Sequence, residues 1–303
     1  MKSHVLITGA AGGLGKAFAA ECAARGWDLV LTDTRESSLA VLADGLSRLH
    51  YVDVQYLPCD LTDPGSRASL WETFRTRGLR FHLLVNIAGI DFEGPFAERS
   101  EGELTSIVRL NVESVVAMTR AILEHRDDAR TLRIINVSSL AGFYPMPVKA
   151  VYAASKRFLL DFSRALNREL RRENVSVTAL CPAGMPTNPP VIRAIDAQGF
   201  MGQITTKNVG FVAARTIDRA LAGRAVYIPG VVNLALRLLG SAVPSTVVAA
   251  LIDRRWRKAR NPSRERPGEY SSRGAASQAA RGYRWRFGTA LFRRAPSPTV
   301  SGA

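Results

Sequence analysis

Seven short runs rich in β-branched and other apolar residues recur along the chain: His4–Thr8, Leu29–Thr32, Val54–Leu57, Leu83–Val85, Arg133–Val137, Ser176–Leu180 and Ala225–Ile228. Several are apolar throughout, as strands covered on both faces must be. Between them lie stretches with a helical period: Lys16–Arg25 closed by Gly26, Ser37–Leu49, Ser66–Thr76, Glu103–His125, Tyr152–Arg172 and Val209–Ala222. The alternation predicts an α/β fold, a doubly wound parallel sheet wrapped by helices. In such sheets ligands gather outside the carboxyl ends of the strands, where the strand order reverses.

The first strand runs straight into Thr8-Gly-Ala-Ala-Gly-Gly-Leu-Gly15. Gly9 follows a strand, and Gly13 and Gly15 open a helix. Glycines there let the backbone turn sharply and approach a pyrophosphate at a helix N-terminus, where free N–H groups favour anions. A ligand-free turn has the same local pattern, so the run gains meaning only from its company. Asp33 ends the second strand, where a carboxylate accepts hydrogen bonds from an adenosine ribose and repels a 2′-phosphate. Arg35 is placed to compensate such a phosphate in part. NAD(H) is therefore the favoured cofactor and NADP(H) the alternative. Asp60, after the third strand, suits either an adenine edge or an Asx-turn.

Tyr152 and Lys156 stand four apart at the start of a helix, one turn apart on one face. An ammonium beside a phenol lowers its pKa and makes it usable as a general acid or base. Ser139, at a strand end, is placed to hydrogen-bond the oxygen of a bound carbonyl.

Taken together, TGAAGGLG, VNIAGI, RLNVES and Ser139 followed by Tyr152-x-x-x-Lys156 resemble the short-chain dehydrogenase/reductase family over residues 3–230. The resemblance implies a Rossmann-type sheet and one catalytic domain. It implies that Tyr152 exchanges the proton with substrate oxygen, that Lys156 binds the nicotinamide ribose, that Ser139 polarises the carbonyl and that Asn111 holds a water of the proton relay. It further places Gly9, Gly13, Leu14, Gly15, Asp33, Asp60 and Leu61 at the cofactor. Asn86, Ala88 and Gly89 would line its adenosine side and support the central strand, with Tyr152, Lys156, Pro182 and Thr187 nearer the nicotinamide. Ile87 replaces the usual second Asn, and Ala183 a usual Gly. The expected partner is a small carbonyl or alcohol. Its walls, Leu140, Phe143, Tyr144, Met146, Met185, Pro186 and the loop Asn188–Thr206, suit hydrocarbon bulk of sterol or fatty-acyl type. A homo-oligomer is expected.

The net charge of +15 suggests nucleic acid until it is divided: residues 253–303 hold 13 Lys/Arg against 3 Asp/Glu. This basic tail lacks an apolar period, so a solvated disordered segment is expected and nucleic acid is not the expected partner. The resulting organisation is 1–232 for the dinucleotide-binding catalytic domain, 233–258 for a helical extension and 259–303 for the tail. The extension has two apolar stretches broken at Pro244 and is read as an active-site cover, a dimer contact or a peripheral membrane contact. Cys22, Cys59 and Cys181 lack CxxC spacing, which argues against a disulfide framework or zinc site. The first strand begins at once, so a cytoplasmic location is expected, membrane-associated if the extension docks on lipid. The sequons at Asn136 and Asn174 fall at strand positions and are read as accidental. A catalytically silent dinucleotide-binding regulator, or a protein acting through its basic tail, is the other reading. The complete set of Asn111, Ser139, Tyr152 and Lys156 argues against the first, because binding alone does not need it.

Overall fold

A computed structural model describes residues 3–185, 205–241 and 243–260. Its strands are β1 Ser3–Thr8, β2 Asp28–Thr32, β3 Val54–Tyr56, β4 Arg80–Asn86, β5 Leu132–Val137, β6 Val175–Leu180 and β7 Val226–Tyr227. They form one parallel sheet in the order β3-β2-β1-β4-β5-β6-β7, with Leu6 of β1 opposite Val30 of β2 and Leu84 of β4. The order reverses between β1 and β4, which opens a crevice beyond Thr8 and Asn86. The helices are α1 Gly13–Ala24, α2 Glu36–His50, α3 Pro64–Thr76, α4 Glu101–Val108, α5 Ser114–Ile122, α6 Ala150–Glu169, α7 Val209–Leu221, α8 Val231–Ser241 and α9 Ser245–Arg260.

Side chains alternate across each strand, so the inner strands feed two cores. Val5, Ile7, Leu29, Leu31, Leu83 and Val85 pack with Phe18 and Cys22 of α1, Leu39 of α2 and Val212 and Ile217 of α7. Leu6, Val30, Leu84 and Ile134 face the other way onto Leu70 and Phe74 of α3 and Met118 and Ile122 of α5. This two-sided burial is why the strands read as continuous apolar runs. Local signals stop and start the helices: Asp63 accepts from the Gly65 and Ser66 N–H groups ahead of α3, and Ser100 and Glu103 cap α4 reciprocally. Gly26, just past α1, takes φ +74° as expected of a helix-terminating glycine.

Two expectations differ from the structure. The single helix expected over Glu103–His125 is α4, a π-helical turn Arg109–Glu113, α5 and a final 3₁₀ turn. The apolar period continues through all of it, and one inserted residue leaves almost no mark on a period. The strand expected over Leu83–Val85 begins three residues earlier, at Arg80, because buried His82 occupies a polar-looking strand position. All three cysteines are free and buried. Among the described residues no helix is long and apolar enough to cross a membrane, and no cluster has metal-ligand character.

Candidate active site

The glycine run lies at the crevice. Gly9 has φ +64°, and a Cβ there would stand 2.8 Å from the Ala88 nitrogen. A Cβ on Gly15 would stand 2.2 Å from the Gly9 carbonyl oxygen. Thr8 Oγ1 accepts from the N–H groups of Ile87 at 3.0 Å and Ala88 at 3.3 Å, joining the carboxyl ends of β1 and β4. Helix α1 follows Gly12 with no side-chain cap and no acidic residue in its first turn. Its leading N–H groups thus form a cradle that a side chain would fill and an anion can enter, which fits the pyrophosphate of a dinucleotide. Leu14 is buried in the core, so only its main chain faces the cradle. Leu61 is likewise a core side chain.

Asp33 is nearly buried and holds the loop by accepting from the Ala11 N–H at 3.2 Å. Arg35 clamps the same carboxylate through Nε at 3.0 Å and Nη2 at 3.2 Å. Burial pushes the Asp33 carboxyl up, but the bonds from Arg35 and Ala11 outweigh it and hold the group below the ordinary carboxylate range. Asp60 is exposed, and its Oδ1 accepts from the Thr62 N–H at 2.8 Å and hydroxyl at 2.7 Å, an Asx-turn. Asn86 is not turned to the crevice. It is buried, and its Nδ2 donates to Asn136 Oδ1 at 2.8 Å and to Thr119 at 3.3 Å.

Ser139, Tyr152, Lys156 and Asn111 converge from β5, α6 and the π-helical turn. Ser139 Oγ accepts from the Ala141 N–H at 3.1 Å, and its hydroxyl acts on the Tyr152 phenol, favouring the ionised form. The Lys156 ammonium is buried, donates to the Val137 carbonyl at 2.9 Å and stands 5.6 Å from the Tyr152 ring centre. Burial lowers its pKa to about 8. Burial and the Asp91 carboxylate push the Tyr152 phenol above its ordinary value, against the Ser139 hydroxyl and the Lys149 ammonium. Of the two neighbouring ammonium groups, Lys149 is the one that favours the ionised phenol here. Asn111 is fully buried and its side chain is already engaged: Oδ1 accepts from the Ile90 N–H at 2.9 Å, and Nδ2 donates to the Ile90 carbonyl at 2.9 Å and to Ser155 at 3.2 Å. Gly89 closes this corner, since a Cβ on it would meet Asn111 Oδ1 at 3.0 Å and Lys156 Nζ at 3.4 Å.

Pro182 ties the loop after β6 to the substrate side, its carbonyl accepting from the Leu140 N–H at 2.9 Å. Ala183 is not among the residues with positive φ, so replacing the usual glycine there strains nothing. Pro186, Thr187 and most of the loop Asn188–Thr206 lie outside the described residues. Helix α8 rests on the 140–144 turn: Tyr144 donates to the Leu236 carbonyl at 2.9 Å, and Arg237 stands 5.3 Å over the Phe143 ring. Sequence reasoning missed Asp91, Glu93 and Lys149 beside Tyr152, and the buried bond from Asn136 Nδ2 to Ser163 at 2.9 Å. Lys149 carried one available signal, its place three residues before Tyr152; the others carried none.

Known proteins match this arrangement. A family model described as short chain dehydrogenase matches residues 3–190. The chain is 32% identical over 189 residues to 17-beta-hydroxysteroid dehydrogenase type 3 of Rattus norvegicus, across 62% of this chain and 61% of that relative, so it spans about three fifths of the relative's length. It superposes on a short-chain dehydrogenase from Sphingobium yanoikuyae in complex with NADPH with a TM-score of 0.67 and 27% identity, over 90% of this chain and 100% of that one. A Burkholderia phymatum short chain dehydrogenase/reductase in complex with NAD gives a TM-score of 0.68 and 26% identity, over 78% and 92% of the two chains. With the strand order, the glycine cradle and the Ser139, Tyr152 and Lys156 cluster in place, the chain belongs to the short-chain dehydrogenase family.

Proposed function

We propose that this protein is an NAD(P)(H)-dependent oxidoreductase that interconverts a secondary alcohol and a ketone, with Tyr152 as general acid and base. The convergence of Ser139, Tyr152 and Lys156 carries the reading: the Lys156 ammonium stands 5.6 Å from the Tyr152 ring centre, and the Ser139 hydroxyl acts on the same phenol. Two hydroxyls meeting at the crevice can share one carbonyl oxygen, Ser139 polarising it and Tyr152 supplying its proton. The dinucleotide, when bound, supplies or takes the hydride. An ammonium has three donors, and Lys156 spends one on Val137, which leaves N–H groups for ribose hydroxyls. Both Nδ2 donors of Asn111 are spent on Ile90 and Ser155, so a relay water there is assigned to its main-chain carbonyl in the π-helical turn. A phenol held above its ordinary pKa keeps its proton at neutral pH, which favours its use as an acid in carbonyl reduction.

Asp33 supports NAD(H), with NADP(H) use depending on Arg35. An apolar substrate of sterol or fatty-acyl type is supported by the 140–146 wall and by the hydroxysteroid-dehydrogenase relative. The contact of α8 with the 140–144 turn favours the cover reading of the C-terminal extension. A homo-oligomer is supported by an apolar concavity of about 440 Å³ lined by Val108, Val112, Ala150, Val151, Ala154 and Phe158, with Val108 and Phe158 exposed. The test is NADH and NADPH oxidation with steroid, fatty-acyl, aromatic and small polar ketones, with Tyr152→Phe beside wild type. Turnover lost in Tyr152→Phe supports the reading. Tight NADH binding without turnover of any ketone favours the silent regulator.

A further inference from the structure

The phenol of Tyr152 has a charged neighbour on each side along α6. Lys156 follows it by four residues, one turn on along the same face of α6, and Lys149 precedes it by three, as the residue that leads into the helix. The Lys149 ammonium stands 5.7 Å from the centre of the Tyr152 ring and the Lys156 ammonium 5.6 Å. Both distances are in the range where a cation is attracted to an aromatic face.

Lys149 is held in that place from outside the helix. Its ammonium meets Asp91 Oδ2 at 2.5 Å and Glu93 Oε2 at 3.0 Å, both on the loop that leaves β4. The backbone supports the same geometry. Gly94 donates its N–H to the Val148 carbonyl at 2.8 Å, and Val148 has φ +61°. A β-branched residue in the left-handed region is strained and persists only where its surroundings over-determine it. Immediately beyond it, Lys149 turns the chain into α6 with φ −134° and ψ 30°. The other carboxylate oxygen of Asp91 is buried with no hydrogen-bond partner among the described residues. The groups that bear on Tyr152 are thus Lys149 from the turn into α6, Lys156 from α6, Asp91 and, through Lys149, Glu93 from the β4 loop, and Ser139 from beyond the end of β5.

Resting on the oxidoreductase reading above, we propose that Lys149 is a second positioning cation for Tyr152, clamped by Asp91 and Glu93, which steadies the ring and offsets the carboxylate field on its hydroxyl. The electrostatics of the site agree in sign. Asp91 disfavours the phenolate and Lys149 favours it. Without Lys149 the Asp91 carboxylate at the phenol is opposed by Lys156 alone.

The experiment is the pH profile of NAD-dependent alcohol oxidation for wild type, Lys149→Met, Lys149→Arg and the double variant Asp91→Asn/Lys149→Met. Oxidation needs the phenolate, so its rate rises with pH through the Tyr152 transition. Lys149→Met should move that rise to higher pH, with turnover about three- to tenfold lower on the neutral side and restored at high pH. Lys149→Arg should stay with wild type. The double variant removes one charge of each sign and should return toward wild type, whereas a merely structural lysine would leave it at least as impaired as the single variant. Lys149→Gln is read in the same way if the Met variant does not fold. Phenolate absorbance of each protein, minus that of its Tyr152→Phe counterpart, follows the same ionisation without substrate. Wild type that turns over no alcohol while its phenolate titration shifts in Lys149→Met refutes the enzyme reading and keeps the clamp. A profile and titration unmoved in Lys149→Met overturn the clamp whatever the activity.

Discussion

Replacing Asp33 with Ser should reverse the choice between NADH and NADPH. The carboxylate sits at the end of β2, nearly buried, and makes three bonds to Arg35 and one to the Ala11 N–H. On the proposed assignment it is the acceptor for the ribose hydroxyls of NADH, and hydrogen bonds to a charged group contribute about 1.5–3 kcal/mol each. Serine keeps a weaker, neutral acceptor, so the loss for NADH is about 2 kcal/mol, or roughly 30-fold in kcat/KM. With NADPH the change removes a like-charge contact and releases Arg35 from its clamp. At a partly solvated site that gain is about 1–2 kcal/mol. The ratio of kcat/KM for NADPH to that for NADH should therefore rise by about a hundred- to a thousandfold. Loosening of the glycine loop through the lost Ala11 bond lowers both cofactors alike and cancels in the ratio. The assay is initial-rate kinetics with each cofactor on one ketone, with Arg35→Ala added in the Asp33→Ser background, where it should remove most of the gain for NADPH. A ratio that stays put, or moves toward NADH, refutes the assignment of Asp33 to the ribose.

Three other perturbations follow from the packing. Gly15→Ala forces a methyl to 2.2 Å from the Gly9 carbonyl oxygen, a backbone overlap no rotamer relieves, and should cost about 3 kcal/mol or more in chemical denaturation while abolishing NADH fluorescence enhancement. His82 is buried in T-shaped contact with Trp27, and burial lowers its pKa from 6.5 to about 4. Its neutral form is the folded one, so the stability it contributes is present above pH 6.5 and lost as pH falls toward 4. That loss should reach about 2 kcal/mol near pH 5, and His82→Phe should flatten it; an unchanged slope of stability against pH would count against the buried neutral ring. Asn136→Leu breaks the bonds to Asn86 and Ser163 and should destabilise by about 2–3 kcal/mol, with Asn86→Leu added to it costing less than the sum of the two singles. Additive losses in that cycle would show that the buried amides do not act as one network.

The parts of the site legible in sequence are those built from local spacing. Tyr152 and Lys156 share one helix turn, and Gly9 and Gly15 are glycines because the backbone closes on itself within one strand-to-helix turn. Other parts were hidden because their partners are remote along the chain. Asn136 looked like a stray sequon, yet it is fully buried and bonded to Asn86 and Ser163. Asn111 carried a family signature but not its actual commitments, since its partner Ile90 lies on another element. Lys156 is the charge that spacing puts beside Tyr152, whereas burial and Asp91 act on the phenol through space and leave no mark in the sequence.

The sequence by itself determined the α/β class, the two-sided burial of the strands, the glycine cradle and the Ser139, Tyr152 and Lys156 set. Each of these is written in a period of two, a period of 3.6, or a backbone conformation only glycine takes easily. Tertiary structure alone decided that Lys149 meets Asp91 and Glu93 beside the phenol, that Asn86 turns into the sheet and that α8 lies on the 140–144 turn. Those are contacts between segments tens of residues apart, and a charge takes its pKa from what folding buries around it rather than from its neighbours in the chain.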